Sequence, residues 1–196
     1  MEVMKENKSL LNLIKQRRTV FPPAYSNKKI ERKDIETILE AATWAPNHGN
    51  TEPWRFFVFQ KAARKKLADF LAEEYKKQFQ EAHFSSRKFN NVSSWPLLAQ
   101  AVVAVGMKRH QETKIPQIEE ERAVACAIQN MLLMAEDLGI SSYWSSGKLV
   151  YSSAMKSFLN LEEEDQVIGL IYFAYSKEKA ALKTRTSFIN FTSWYE

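Results

Sequence analysis

The stretch PNHGNTEP at residues 46–53, followed at once by WRFFVF at residues 54–59, decides the fold that we expect for this chain. A helical pattern over residues 31–44 ends just before it, and the aromatic and β-branched run at 54–59 predicts a strand. The loop between them carries many side chains that donate and accept hydrogen bonds. Because such loops between rigid elements commonly hold ligands, we expect residues 46–53 to form part of a binding site.

On either side of this loop, helices and strands alternate without the regular spacing of a doubly wound fold. The pattern predicts helices over 9–18, 31–44, 61–82, 118–138 and 152–159, and strands over 54–59, 98–105, 141–144 and 166–175. Residues 85–94 are polar and are expected to be irregular, and residues 108–117 form a charged connector. These elements indicate an α+β fold in which helices flank a mixed sheet.

The composition, 45% apolar and 26% charged over 196 residues, is typical of a globular protein with one domain over residues 1–196. No apolar run approaches the roughly 20 residues that span a bilayer, and residues 1–8 are too charged for a signal peptide. The net charge of +5 is spread along the chain, and no nucleic-acid motif or zinc-ligand spacing is present. With Cys126 as the single cysteine, we expect a cytoplasmic protein that binds neither nucleic acid nor membrane.

The pattern at 118–138 predicts the longest helix, whose interior side chains are small and apolar on most faces. A helix that is apolar nearly all round is buried. We therefore expect this helix, with Cys126, in the core. Gly139 follows its last turn, at the position where a glycine commonly ends a helix.

Two groups of basic residues are candidates for an anion site. Arg17, Arg18 and Thr19 close the first helix, where arginines could simply complement the negative pole of its dipole. Alternatively, the guanidinium groups could clamp phosphate oxygens while the threonine hydroxyl adds a donor. Lys183 and Arg185 alternate on one side of an extended tail, which is either a flexible terminus or a second phosphate clamp.

The turn after the strand at 141–144 is a candidate contact for a planar ligand. Trp144, Ser145, Ser146 and Gly147 follow one another there, and serine and glycine let a ligand approach backbone N–H groups closely. A plain turn would explain the same residues. The dinucleotide fingerprint G-x-G-x-x-G and the P-loop are both absent.

In their order along the chain, these segments resemble the FMN-dependent nitroreductase family, and most of all its compact single-domain branch. The matching segments are Arg17-Arg18-Thr19, the loop and strand from Ala45 to Phe56, the helix from Ala123 to Leu138, Trp144-Ser145-Ser146-Gly147 and Lys183-Thr184-Arg185. The resemblance implies a mainly antiparallel sheet flanked by helices. It also implies an intimate homodimer with two FMN molecules at the dimer interface.

The resemblance assigns roles to the basic residues. It implies that Arg17, Arg18 and Thr19 bind the phosphate and ribityl chain of FMN. Lys183 and Arg185 of the tail would join them in holding the phosphate.

The resemblance also assigns roles around the flavin ring. Asn47, His48 and Asn50 would line the flavin, from the same subunit or from the opposite one. Ser146 and Gly147 would direct backbone N–H groups at flavin N5 and O4. Such donors stabilise the anionic reduced flavin.

The implied reaction is a ping-pong hydride transfer. NADPH or NADH would reduce FMN, and a nitroaromatic, quinone or other electron-poor small molecule would then enter the same pocket as acceptor. Neither an acid–base side chain nor a metal is required. A flavin-binding protein without turnover, for storage or sensing, is the alternative.

Two residues depart from the family pattern and motivate that alternative. Phe21 stands where many relatives have a second cation, and Glu52 stands where the family has glutamine before Pro-Trp. A carboxylate at position 52 only accepts hydrogen bonds. It would disfavour the anionic reduced flavin if it faces the ring, or pair with a cation if it faces away.

Overall fold

In the computed structural model, four strands form one sheet that lies between two layers of helices. The structure describes residues 10–79, 83–110, 114–178, 180–181 and 183–196. Within these ranges the helices are α1 Leu10–Gln16, α2 Arg32–Thr43, α3 Ala63–Gln78, α4 Ser86–Leu98, α5 Gln117–Asp137 and α6 Ser153–Phe158. The strands are β1 Trp54–Gln60, β2 Ala101–Met107, β3 Ser141–Ser145 and β4 Gln166–Ala174. The expected α+β class is confirmed.

The strands lie in the order β1-β2-β4-β3, and each neighbouring pair is antiparallel. At the centre, Val103 of β2 pairs with Val58 of β1 and with Ile171 of β4. An isolated bridge between Thr19 and Ser142 is parallel. It attaches the chain that follows α1 to the outer edge of β3, which brings the N-terminal basic residues to that edge.

The residues of β2 alternate between the two faces of the sheet, and all seven are buried. Val103 and Val105 pack in the core formed with α2 and α5. Val102 and Ala104 pack on the opposite face, in the core formed with α3 and α6. Because helices cover both faces, the central strand is apolar at nearly every position, which explains the continuous run AVVAVGM.

The expectation of an irregular segment at 85–94 is wrong, because α4 occupies most of it. Ser85 caps this helix, and its hydroxyl accepts a hydrogen bond from the backbone N–H of Lys88. Val92 and Trp95, three residues apart, then pack against the core formed with α3 and α6. The polar residues at 85–94 are therefore a cap and a solvated helix face rather than a loop.

Most other boundaries lie within a few residues of those expected. The helix expected over 61–82 ends at Gln78, and the strand expected from residue 98 begins at Ala101. Residue 9, residues 80–82 and residues 111–113 of the charged connector lie outside the described residues. No helix in the described ranges is both long and apolar enough to cross a membrane.

The long helix α5 is buried on one side only, which corrects the expectation of a helix buried all round. Val124 and Ala127 are buried, but Cys126 is exposed and is not a core residue. The physical reason is that α2 and the sheet cover one face of α5, and small side chains on the other face remain open. Gly139 follows this helix with φ of +70°, which confirms its predicted position after the helix end.

Candidate functional site

A cavity of about 710 Å³ lies where the end of α1 meets α5 and the C-terminal tail. Within the described residues five cationic side chains and no carboxylate line it: Lys15, Arg17, Arg18, Lys183 and Arg185. Positive charges repel one another, so a bound anion would stabilise the cluster. This cavity, called the cationic cavity below, is a candidate anion site.

The N-terminal arginines are held by the path of the chain from α1 to the sheet. The backbone N–H of Arg17 donates to the carbonyl of Leu13 at 3.0 Å, and that of Val20 donates to Ser142 at 3.0 Å. Thr19 forms the parallel bridge with Ser142. The two arginines therefore stand between a helix end and a sheet edge rather than on a free terminus.

Arg18 connects the two basic segments. Its Nη1 donates to the backbone carbonyl of Arg17 at 2.7 Å, and its Nη2 donates to that of Lys183 at 3.3 Å. Its Nε is buried and has no hydrogen-bond partner in the described part of the chain. A buried N–H without a partner is costly, so an anion that reached this donor would relieve the cost.

Arg17 shows the cost of the crowded positive charge. Burial lowers the pKa of its guanidinium, and the charges of Arg18 and Arg185 lower it further, while Glu136 acts in the opposite direction. The guanidinium nevertheless stays protonated at neutral pH. A bound anion would offset the unfavourable surroundings of this charge.

A second cavity, of about 750 Å³, lies between the N-terminal half of α5, β3 and the start of β4. Trp144 and Tyr151 contribute aromatic rings, and Ile118, Ala125 and Ile168 contribute apolar surface. Trp144 is 37% exposed and Tyr151 is 55% exposed. Among the residues that the structure describes, neither ring pairs with another aromatic ring. This cavity, the aromatic cavity below, can take a planar group.

Trp144 reaches this cavity because the neighbouring strand carries a glycine. A Cβ added at Gly169 would overlap the indole Nε1 of Trp144. Any larger residue at this position would therefore displace the ring. The glycine in β4 is required by this close approach.

The two cavities adjoin on the exposed face of α5. Gln129 lines the cationic cavity and Ala125 lines the aromatic cavity, and four residues of helix correspond to a rise of about 6 Å. The exposed Cys126 lies between them. Near the aromatic cavity, Gly147 follows β3 with φ of +121° and open space where a Cβ would stand. A ligand with an anionic end and a planar end can lie along this face.

The loop at 46–53 lies beside the first turn of α5, away from the cationic cavity. Nδ1 of His48 is 2.6 Å from Oε2 of Glu119, in the first turn of α5. Glu119 is roughly 15 Å along the helix axis from Gln129. Within the described residues, the loop lines neither cavity. One protomer alone therefore does not bring His48 to the basic cluster.

The other polar residues of this loop shape its backbone. The Asn47 side chain accepts a hydrogen bond from the backbone N–H of Glu52 at 3.1 Å. Asn50 and Glu52 have φ of +50° and +44°, a strained region for residues with side chains. Arg55 donates to the backbone carbonyl of Glu52 at 3.0 Å, so the cation beside Glu52 contacts its backbone rather than its carboxylate.

The remaining predicted residues surround the cavities without lining them. Ser145 pairs with Leu170 in the sheet, and Ser146 is exposed just after β3. Phe21 packs on the other side of the sheet edge, where its ring centroid is 5.0 Å from that of Tyr143 and 6.1 Å from that of Trp95. The basic cluster therefore consists of Lys15, Arg17, Arg18, Lys183 and Arg185, without a contribution from position 21.

Most of the other lining residues were not predicted, among them Lys15, Gln129 and Tyr151. Lys15 precedes Arg17 by two residues in α1, and this proximity could have identified it. Gln129 is a polar position on a helix that was expected to be buried. No pattern in the sequence distinguishes Tyr151.

Sequence comparison places the chain among known proteins. The model of the Nitroreductase family matches residues 14–175. A protein of Haemophilus influenzae, provisionally named an NAD(P)H nitroreductase, is 29% identical over 173 residues, which cover 85% of this chain and 92% of the relative. One of Archaeoglobus fulgidus, provisionally named an NADH dehydrogenase/NAD(P)H nitroreductase, is 30% identical over 174 residues, which cover 86% of each chain.

Solved structures agree with this result. A nitroreductase-like family protein from Bacillus cereus has a TM-score of 0.84 at 26% identity, with 98% of this chain and 99% of that chain covered. A nitroreductase from Bacteroides fragilis, solved with bound FMN, has a TM-score of 0.72 at 26% identity, with coverages of 96% and 99%. The resemblance noted in the sequence is confirmed, and the chain belongs to the nitroreductase family.

Proposed function

We propose that this protein is an FMN-dependent NAD(P)H oxidoreductase that reduces nitroaromatics, quinones or similar electron-poor acceptors by a ping-pong mechanism. One observation carries the proposal: a cationic cavity, which no carboxylate of the described residues lines, lies next to an aromatic cavity along α5. FMN has a phosphate at one end and a planar ring at the other. Family membership and the FMN reported in the Bacteroides fragilis structure support the same assignment.

The cationic cavity fits the phosphate of FMN. Arg17, Arg18, Lys183 and Arg185 supply charged donors, and guanidinium groups bind phosphate oxygens with paired N–H donors. The Nε of Arg18 is buried without a partner in the described residues, and a phosphate oxygen that reached it would remove the cost of the unpaired donor. The Thr19 side chain, at the sheet edge, would contact the phosphate or ribityl chain.

The aromatic end fits the flavin ring. We place the ring beside Trp144 and over the open space at Gly147, where the backbone N–H groups of Ser146 and Gly147 would stabilise negative charge on N5 and O4. When bound, FMN supplies the hydride chemistry between NAD(P)H and the acceptor. The chain itself holds the ring, excludes water from part of it and leaves room for a second planar molecule.

A homodimer is part of the proposal. Large apolar side chains are exposed at both ends of the described chain: Leu10, Leu11 and Ile14 in α1, and Phe188, Ile189, Phe191, Trp194 and Tyr195 in the tail. Exposed apolar surface of this extent is typical of an interface. A second copy would cover it and could bring its own loop, with Asn47, His48 and Asn50, to the flavin that one protomer's loop does not reach.

The proposal is tested by reconstitution and turnover. The purified protein is titrated with FMN, and NADH and NADPH consumption is measured with and without menadione or nitrofurazone. We expect one FMN per chain and acceptor-dependent oxidation of at least one donor, which a cytoplasmic enzyme would have at hand. FMN binding without acceptor-dependent oxidation would favour storage or sensing instead.

A further inference from the structure

The two cavities along α5 differ in charge as well as in shape. The cationic cavity is lined by five cations and no carboxylate among the described residues. The aromatic cavity is lined by four carboxylates and two cations: Glu121, Glu163, Glu164 and Asp165 against Arg122 and Lys156. The surface beside α5 therefore passes from strongly positive at the cationic cavity to net negative at the aromatic cavity.

Two of these carboxylates are free to act on a ligand. Glu163 and Glu164 are exposed, and neither forms an ion pair within the described ranges. Asp165 is buried and accepts hydrogen bonds from two backbone N–H groups, so it belongs to the fold. Lys156 donates to the backbone carbonyl of Glu163 rather than to a carboxylate, so this hydrogen bond does not engage the carboxylate of Glu163 or Glu164.

We infer that the aromatic cavity selects electron acceptors by charge, and that it favours neutral or cationic aromatic molecules over anionic ones. This inference rests on the proposed function, because it takes the aromatic cavity as the place where the acceptor binds. The Trp144 and Tyr151 rings accept the planar group. The carboxylates of Glu163 and Glu164 repel a carboxylate or sulfonate carried on it.

The size of the effect follows from Coulomb's law. Two net negative charges about 5 Å from a ligand carboxylate, in a largely aqueous setting, disfavour it by about tenfold at low ionic strength. The basic cluster acts on the ligand over a longer distance than Glu163 and Glu164, because its side chains line the other cavity, and a bound phosphate offsets part of its charge. In 0.5 M salt the Debye length falls to about 4 Å, and the discrimination is expected to shrink.

The kinetic test compares 4-nitrobenzamide with 4-nitrobenzoate, which have similar shapes and differ by one charge. Holoprotein reduced without oxygen is mixed with each acceptor, and reoxidation is followed by flavin absorbance. The rate ratio is divided by the same ratio measured for free reduced FMN, which removes the intrinsic reactivity of the acceptors. We expect a corrected preference of about tenfold for the amide at 20 mM ionic strength, and about twofold in 0.5 M salt.

The variant E163Q/E164Q assigns the preference to its source. We expect its corrected ratio to fall to about twofold at low salt. The matched control is E40Q/E73Q, which removes the same charge from exposed positions on α2 and α3 and is expected to keep the wild-type ratio. A ratio near one in the wild-type protein, or an unchanged ratio in E163Q/E164Q, would overturn the inference.

An equilibrium measurement separates this inference from the proposed function. Binding of benzamide, benzoate and benzyltrimethylammonium is measured by ligand-observed NMR, with and without FMN. Weaker binding of benzoate that depends on Glu163 and Glu164 supports charge selection even if the protein proves unable to turn over. Equal binding of all three probes contradicts charge selection even if NAD(P)H-dependent reduction is found.

Discussion

Replacement of Arg17 and Arg185 by alanine together is expected to weaken FMN binding without weakening the fold. Both side chains line the cationic cavity. A hydrogen bond between charged groups contributes about 1.5–3 kcal/mol. Because three other cations remain to share the phosphate, we take the lower half of the summed range, about 3–4 kcal/mol. This corresponds to an FMN dissociation constant raised by about 10²- to 10³-fold.

The same substitution has an opposite expected effect on the FMN-free protein. The pKa of Arg17 is lowered by burial and by the charges of Arg18 and Arg185, so its charged form is held in unfavourable surroundings. Removal of two mutually repelling cations relieves that cost. We expect the midpoint of thermal unfolding without FMN to stay constant or to rise.

The assay is a titration of FMN into the FMN-free protein, followed by quenching of flavin fluorescence, with thermal unfolding measured in parallel. The control is K66A/R87A, which removes two exposed cations from α3 and α4. An FMN affinity that is unchanged in R17A/R185A, or lowered equally in the control, would refute the phosphate assignment. A large loss of stability without FMN would show instead that these arginines support the fold.

Three further predictions concern stability and the aromatic cavity. Burial raises the pKa of Tyr25 above its ordinary value, so the folded state keeps this proton after the unfolded chain has lost it. The free energy of unfolding should therefore fall above about pH 10, by about 1.4 kcal/mol per pH unit for this group. Urea unfolding between pH 8.5 and 11 should show a smaller fall in Tyr25→Phe, and equal slopes would contradict this. Arg109→Ala removes the ion-pair partner of Glu120, which is 1% exposed, and should cost about 3 kcal/mol in denaturant unfolding; a loss under about 1 kcal/mol would argue against the pair. Gly169→Ala should displace the Trp144 ring and shift tryptophan fluorescence while weakening benzamide binding, and unchanged emission and binding would disprove the close approach.

The sequence predicted most of the sheet because its strands carry a strong local pattern. The apolar run of β2 and the aromatic run of β1 each fill a position between helices, and both strands lie within a few residues of where they were expected. Helix α4 was missed for a physical reason. Its polar residues at 85–94 form a cap and a solvated face, and they outnumber the apolar side chains, of which only Phe89 and Val92 fall in this range.

Helix α5 shows the limit of judging burial from composition. Small apolar side chains are typical both of a helix in the core and of one that leaves space for a ligand or a second chain. The sequence could not distinguish these cases for Cys126, because exposure depends on which elements pack against each face. The structure shows that only one face is covered.

The basic residues illustrate what order along a chain can predict. Arg17 and Arg185 are 168 residues apart, and no local pattern links them, yet the family resemblance placed both at one site and the structure brings both into one cavity. The loop residues Asn47, His48 and Asn50 do not join them within one protomer. Their predicted role remains a prediction that depends on a second copy of the chain.

The visible absorption spectrum of the purified protein, recorded without oxygen before and after addition of NADH or NADPH, is the measurement that decides whether this chain is an FMN-dependent reductase. We expect flavin bands, restored by FMN if the protein is purified colourless, that bleach with at least one of the two donors and return when an electron-poor acceptor is added. A protein that cannot be reconstituted with FMN, or flavin bands that neither donor bleaches, would contradict it.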